Sequence, residues 1–188
     1  MDEAFTGKSI MDEVLTFWFN DIQPKQWWTV DPQFDALLRE RFLDLLQRAS
    51  MGELFSWRST AAGRLAEIIV LDQFSRNIYR DSPQAFAQDA TALVLSQEAV
   101  TAGALSALAD PMERAFLLMP YMHSESKLIH AQAEPLFQAH TPANNLDFER
   151  RHRAIIDRFG RYPHRNQILG RPSTEEEIEF LKQPGSRF

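Results

Sequence analysis

Residues 34–49 read FDALLRERFLDLLQRA, and Phe34, Leu37, Leu38, Phe42, Leu45, Leu46 and Ala49 recur at the spacing of one helical face. The pair before this stripe, Asp31-Pro32, has the form of a helix start. The aspartate can accept the first free amides, and a proline in the first turn has no N–H to waste. Ser82-Pro83 and Asp110-Pro111 repeat the pattern and predict two further helix starts. Ser9 with Asp12, and Ser173 or Thr174 with Glu176 or Glu177, have the spacing of capping boxes. A second stripe runs through Phe86, Ala90, Leu93, Val94 and Gln97, and a third through Ile155, Ile156 and Phe159 to Gly160, which suits a left-handed C-terminal cap. No period-2 pattern competes with these. The expectation is an all-α chain of about eight helices joined by short connections.

RLAEIIVLDQF, residues 64–74, is apolar nearly all round, as a helix in the centre of a helical domain should be. Pro120 and Pro135 interrupt helical patterns and are expected to end or kink the helices there. No fixed repeat period emerges from the proline-marked starts.

Composition bounds the rest. With 188 residues, 44% of them hydrophobic, the chain can bury one core but not two ordinary domains, so residues 1–188 are expected to form a single domain with residues 1–8 as a flexible tail. The absence of cysteine excludes disulfides, thiol nucleophiles, iron–sulfur clusters and Cys-ligated zinc. The acidic start MDEAFTGKSIMDEV has neither a basic nor an apolar leader segment, and no apolar run has transmembrane length, so a cytoplasmic protein with no membrane partner is expected. The net charge is −6, yet residues 150–171 hold seven arginines against Asp157, a local +6, leaving −12 elsewhere. Nucleic acid is disfavoured as a partner, because the rest of the chain is acidic and the aromatic and glycine signatures of common RNA modules are missing.

Polar chemistry gathers in three places. Asp72, Gln73, Arg76 and Asn77 follow the apolar helix, and Asp72 and Arg76 can pair at i, i+4 if the helix continues. His123, Ser124 and Glu125 follow a Met-Pro break, without the Gly-x-Ser-x-Gly elbow of a hydrolytic serine. His123, His130 and Glu134 could share a helix face, but no His-Glu-x-x-His or calcium-loop spacing supports a metal, and no cofactor is expected. In RFGRYPHRNQILGR, residues 158–171, Arg161, His164, Arg165 and Arg171 project from an irregular segment with Asn166 among them.

The stretches LDQFSRNIYRDSPQAF, RAFLLMPYMHSE and RHRAIIDRFGRYPHRNQILGRPSTEEEIEFL, with VLTFWFND and the terminal PGSRF, closely resemble an uncharacterised bacterial family catalogued as domain of unknown function 924. The resemblance spans nearly the whole chain. It implies a tetratricopeptide-like right-handed α-α superhelix and no activity, substrate or catalytic residue. That family commonly carries proline where this chain has Ser75, which would bend the helix just before Arg76. It often has phenylalanine at the positions of Tyr79 and Tyr162.

Three functions follow from these residues. The first is binding of an anionic small molecule or peptide carboxylate through Asp72, Gln73, Arg76, Asn77, His123, Glu125, Arg161, His164, Arg165, Asn166 and Arg171. The second is an enzyme in the same pocket, with His164 or His123 as acid or base and Asp72 or Glu125 as its orienting partner. The third is an interaction module or homo-oligomer with an aromatic surface around Trp27, Trp28 and Phe34. Against the first two stands a structural alternative, in which the arginine loop is pinned by bonds to Asp72, Glu125, Asp157 and helix-end carbonyls.

Overall fold

In the computed structural model, which describes residues 9–187, the chain folds into ten α-helical segments with no strand among the described residues. The expected tail, residues 1–8, lies outside the described residues. In chain order the segments are α1 (Ile10–Thr16), α2 (Pro32–Ser50), α3 (Ala61–Ile69), α4 (Ser75–Ile78), α5 (Asp89–Thr101), α6 (Ala104–Ala107), α7 (Pro111–Met122), α8 (Lys127–His140), α9 (Ala143–Phe159) and α10 (Glu175–Phe180). A π-helical turn, Val70–Phe74, joins α3 to α4, so that Ala61–Ile78 is one rod and the number of rods is close to the eight expected.

The caps sit where elementary hydrogen bonding puts them. Asp31 accepts from the amides of Gln33 and Phe34, Asp110 from Met112, Ser9 from Asp12, and Thr174 and Glu177 form a reciprocal capping box. Gly160 closes α9 at φ +70°, its N–H on the Ile156 carbonyl at 2.8 Å. Ser82 behaves otherwise. Its hydroxyl donates to the Tyr79 carbonyl at 2.7 Å, so it caps nothing, and Pro83–Phe86 is a single 3-10 turn before α5 begins at Asp89.

The prolines do not break their helices. α7 continues past Pro120 and α8 past Pro135, because each loses a single backbone bond in a helix already held by tertiary packing. From Ala115 to Met122 every residue of α7 is buried, and α7 packs against α3, α5 and α8. The rod is equally enclosed: residues 65–75 are all buried.

Most apolar residues form one core of α1, α2, the rod, α5 and α7, with Phe17, Trp18, Phe34, Phe42, Phe74 and Phe116 at its aromatic centre. A smaller cluster of Ile155, Ile156 and Tyr162, backed by Phe159 and Phe180, ties α9 to α10. The aromatic surface expected around Trp27, Trp28 and Phe34 is not there as such. Phe34 is core, Trp27 is half-buried with its indole N–H on the Trp18 carbonyl, and only Trp28 is exposed, stacked on Phe116. No helix of the described residues is long and apolar enough to cross a membrane.

Among the described glycines Gly63 has the closest surroundings. A Cβ built there would lie 1.9 Å from the Trp57 carbonyl oxygen of the preceding 3-10 turn, Phe55–Ser59. Alanine is ordinarily worth up to about 1 kcal/mol more than glycine in a helix. Here the sign should reverse. Gly63→Ala is expected to cost about 2 kcal/mol through forced displacement of backbone, measurable as a lowered urea midpoint.

Candidate functional site

The C-terminus of α7 is the focus of the polar residues. A helix ends with carbonyls that have no intrahelical partner, and here three in succession are taken by side chains from elsewhere. The Tyr162 hydroxyl donates to the Met122 carbonyl, Arg165 Nη2 to the His123 carbonyl at 3.0 Å, and His130 Nε2 to the Ser124 carbonyl at 2.8 Å. Glu125, next in the chain, receives the Tyr162 N–H at 2.7 Å and both Nη atoms of Arg171 at 2.7 and 2.9 Å. The segment RYPHRN is therefore a clamp on the end of α7, as the structural alternative expected, though it reaches partly different partners.

His123 caps α7 and turns its imidazole onto the rod. Nδ1 lies 2.7 Å from Oδ1 of Asp72, a residue 1% exposed. The π-helical turn carries Asp72 and Gln73 together, and Gln73 Nε2 donates to the other carboxylate oxygen at 2.6 Å. Arg76 reaches back from α4 to the Asp72 carbonyl at 2.8 Å and its Oδ1 at 3.1 Å, so the i, i+4 pair forms although the turn between them is not a regular α-turn. Ser75, where the family favours proline, donates to the Leu71 carbonyl and keeps the rod continuous.

Burial is the largest influence on Asp72 and pushes its pKa up, but His123, Arg76 and Gln73 together outweigh it and hold the carboxyl well below the usual range. Burial, aided by the Arg76 charge, lowers His123 below the ordinary histidine value of 6.5, against the pull of Asp72. At neutral pH the pair is thus a carboxylate and a neutral imidazole. Its proton sits on Nδ1, where it stabilises the anion by donation. Nε2 is left as an acceptor, with no hydrogen bond from the described residues.

A cavity of about 400 Å³ opens beside His123. Its wall is made of Pro83, Phe86, Ala87, Ala90, Leu93, Pro120 and Leu169, with Asp89, His123, Ser124, Glu125 and Arg165 as the polar part. The stripe Phe86, Ala90 and Leu93, read as a core face from its spacing, is this wall. The core face of α5 is instead Ala92, Ser96 and Ala99, whose small side chains let α5 pack against α3 and α7, and Val94 is 55% exposed.

Asp89, at the first turn of α5, was not apparent from the sequence. It accepts Arg76 Nη1 and Nη2 at 2.9 and 3.0 Å and Arg165 Nη1 at 3.3 Å, joining two arginines distant in sequence. An acid in a first helical turn looks like a dipole partner, and nothing local separates that role from this one. Arg165 is 6% exposed, stacked between Phe86 and Tyr162 with its guanidinium carbon 4.6 and 4.7 Å from their ring centres.

Of the other candidates, Glu125 lines the cavity but is occupied by Arg171, while Gln73 and Arg76 stand behind His123. Asn77 turns away to Asp35 on α2, at 2.9 Å. Arg161 is held by Glu177 of α10 at 2.7 and 2.8 Å, and Asn166 joins Ser173, Glu177 and Arg171. His164 lies against Tyr162, and burial and Arg165 hold it down to about 4, so it too is neutral. The shared helix face imagined for His123 and His130 does not exist. His123 ends α7, whereas His130 belongs to α8 and faces Glu149 of α9 at 2.7 Å, and Glu134 binds Arg150 and Arg153. Among the described residues no group of three or more acidic or histidine side chains could hold a metal ion.

Residues 14–185 match the family described as bacterial protein of unknown function, DUF924. The chain belongs to this family. A solved member-like structure, the protein of unknown function ATU0120 from Agrobacterium tumefaciens, is 34% identical and superposes with a TM-score of 0.87 over 92% of this chain and 97% of that one. No curated protein matches the chain. The DUF924 segment RFGRYPHRN that marks the resemblance is the clamp just described.

Glu177, 2% exposed, anchors that clamp from α10. The bonds from Arg161, and secondarily those from the Thr174 amide and Asn166, bring its carboxyl from 4.5 down to about 2 against the effect of burial. A carboxylate whose folded value is depressed contributes stability above its unfolded value and loses it as pH falls through the folded one. That contribution should be complete above about pH 4.5 and gone near pH 2. Glu177→Gln is expected to cost about 3 kcal/mol at neutral pH and to flatten the acid-unfolding curve in this window, followed by circular dichroism.

Proposed function

We propose that the cavity beside His123 is a small-molecule site in which His123, oriented by Asp72, accepts and returns a proton. The observation that carries this reading is the Asp72–His123 pair itself: a buried carboxylate at 2.7 Å from one ring nitrogen, on a residue that lines the cavity and whose other nitrogen takes no hydrogen bond from the described residues. A ligand hydroxyl, amide or water held there would give its proton to Nε2. The resulting imidazolium would be stabilised by Asp72 until the proton returned to the product. Ser124 lines the same cavity, but its hydroxyl makes no hydrogen bond to His123, so the geometry supports proton transfer and not a serine nucleophile.

Binding of an anion by many arginines receives less support. Arg161 and Arg171 each hold a carboxylate by two bonds, and Arg76 holds Asp72 and Asp89, so these three have little left to offer a ligand. The anionic class therefore narrows to a group that Arg165 could reach. The tetratricopeptide-like right-handed winding belongs to the same proposal. Packing of α7 on α8 and of α8 on α9, as in stacked helical pairs, supports it.

The test is conversion of small molecules in a fractionated cell extract, followed by mass spectrometry with the full chain and with His123→Ala and Asp72→Asn. At least one compound should be consumed by the unaltered protein, with the rate falling about 10²–10⁴-fold in His123→Ala. Because His123 acts from its neutral form and its value is lowered, the rate should rise with pH and level off below pH 6.5. Equal profiles for all three proteins would overturn the reading.

A further inference from the structure

Arg165, the arginine that lines the cavity, is less fully compensated than Arg161 or Arg171. It is buried, its Nε has no hydrogen-bond partner, and its nearest carboxylate oxygen, Asp89 Oδ2 at 3.3 Å, is held more closely by Arg76 at 3.0 Å. Its other bond goes to a neutral carbonyl. Burial and the Arg76 charge push its pKa down despite Asp89 and Glu125, the signature of a cation short of counter-charge. By contrast, Arg161 and Arg171 each meet a carboxylate squarely, with both contacts at 2.9 Å or less. The cavity wall beyond Arg165 is largely apolar, with Leu93, Pro120 and Leu169 in it and Phe86 stacked on the guanidinium itself.

We propose that the cavity takes a small monocarboxylic acid with an apolar tail, its carboxylate on Arg165 and its tail against Phe86, Leu93, Pro120 and Leu169. One incompletely paired guanidinium suits one negative charge. A dianion would meet Asp89 and Glu125, both of which line the cavity, and a cation would have to displace an arginine from one of them. A volume of about 400 Å³ is within the range of small-ligand sites and leaves room for a tail beyond the carboxylate. The assignment rests on the cavity being the functional site, and it places the acid beside Nε2 of His123.

Calorimetric titration of the full chain with hexanoate, phenylacetate, hexanol and inorganic phosphate tests this, with the His123 ring resonances followed by NMR. Both carboxylates should bind and shift His123, while hexanol and phosphate bind at least tenfold more weakly. Arg165→Gln should lose the preference for hexanoate over hexanol. Since Arg165 also braces α7, a second variant is needed that leaves the fold alone: Ala90→Glu, at an exposed position of the cavity wall, should weaken hexanoate at least tenfold and hexanol little. Phosphate or hexanol binding as tightly as hexanoate overturns the assignment, as does carboxylate binding that both variants leave intact. A short peptide with a free C-terminus binding more tightly than either acid overturns it in favour of a peptide carboxylate. If none of the probes binds while conversion still depends on His123, the ligand class is wrong and the proton-transfer reading stands. If conversion is absent as well, both fail.

Discussion

The end of α7 is the constraint on which the rest of the site depends. Carbonyls that cannot be bonded within a helix must find other donors when they are buried. At Met122, His123 and Ser124 those donors come from three places: a tyrosine and an arginine of the 160–171 segment and a histidine of α8. The three capture one another's positions. Tyr162 also lies in the small C-terminal cluster, so the same residue that caps α7 joins that cluster to the main core through Met122. A segment whose own backbone bonds are only those of successive turns is held against the fold by the helix end it completes.

The charges follow the same logic. The arginine-rich stretch looks like an electropositive patch in one dimension, but the acids that balance it come from remote segments: Glu125 after α7, Glu134 on α8, Asp89 on α5, and Glu176 and Glu177 on α10. Folding cancels most of the local excess in pairs. Behind His123 the cancellation is by alternation, Asp72 to Arg76 to Asp89 to Arg165, a chain in which every member but the last has its charge closely met. On the other side of the 123–126 segment, His130 and Glu149 form a second buried pair. His130 Nε2 meets the Ser124 carbonyl and its Nδ1 lies 2.7 Å from Glu149, whose carboxyl burial raises above its usual range.

Helix ends and the central rod were legible because they are local. Asp31, Asp110, Thr174 and Gly160 announce themselves by hydrogen bonds within a few residues, and an all-apolar run has few places to go other than the interior. The family resemblance over MHSE and RYPHRN was carried by residues that the fold does bring into contact. What stayed hidden depends on distant partners. Asp89 resembles any acid in a first helical turn until Arg76 and Arg165 arrive. Phe86, Ala90 and Leu93 have the spacing of a core face, and hydrophobic periodicity cannot distinguish a wall packed against protein from a wall packed against a cavity. Pro120 and Pro135 were expected to end or kink their helices, and neither helix ends there, because propensity is counted locally whereas burial on α7 and α8 is not.

The π-helical turn at Val70–Phe74 has a genetic consequence. Such a turn amounts to one residue more than an α-helix would need over the same rise, so the rod is in effect an α-helix carrying a single-residue insertion. About five residues of π-helix turn the chain as far as about four of α-helix. A one-codon deletion within this turn would therefore restore a regular helix and leave both Ala61–Ile69 before it and Arg76 and Asn77 after it on nearly their present sides. The same deletion in an α-helical part of the rod has no such slack and would rotate everything beyond it by about 100°. Lineages of this chain should therefore tolerate loss of one residue within the turn, provided Asp72 is kept, far more readily than loss of one elsewhere in the rod.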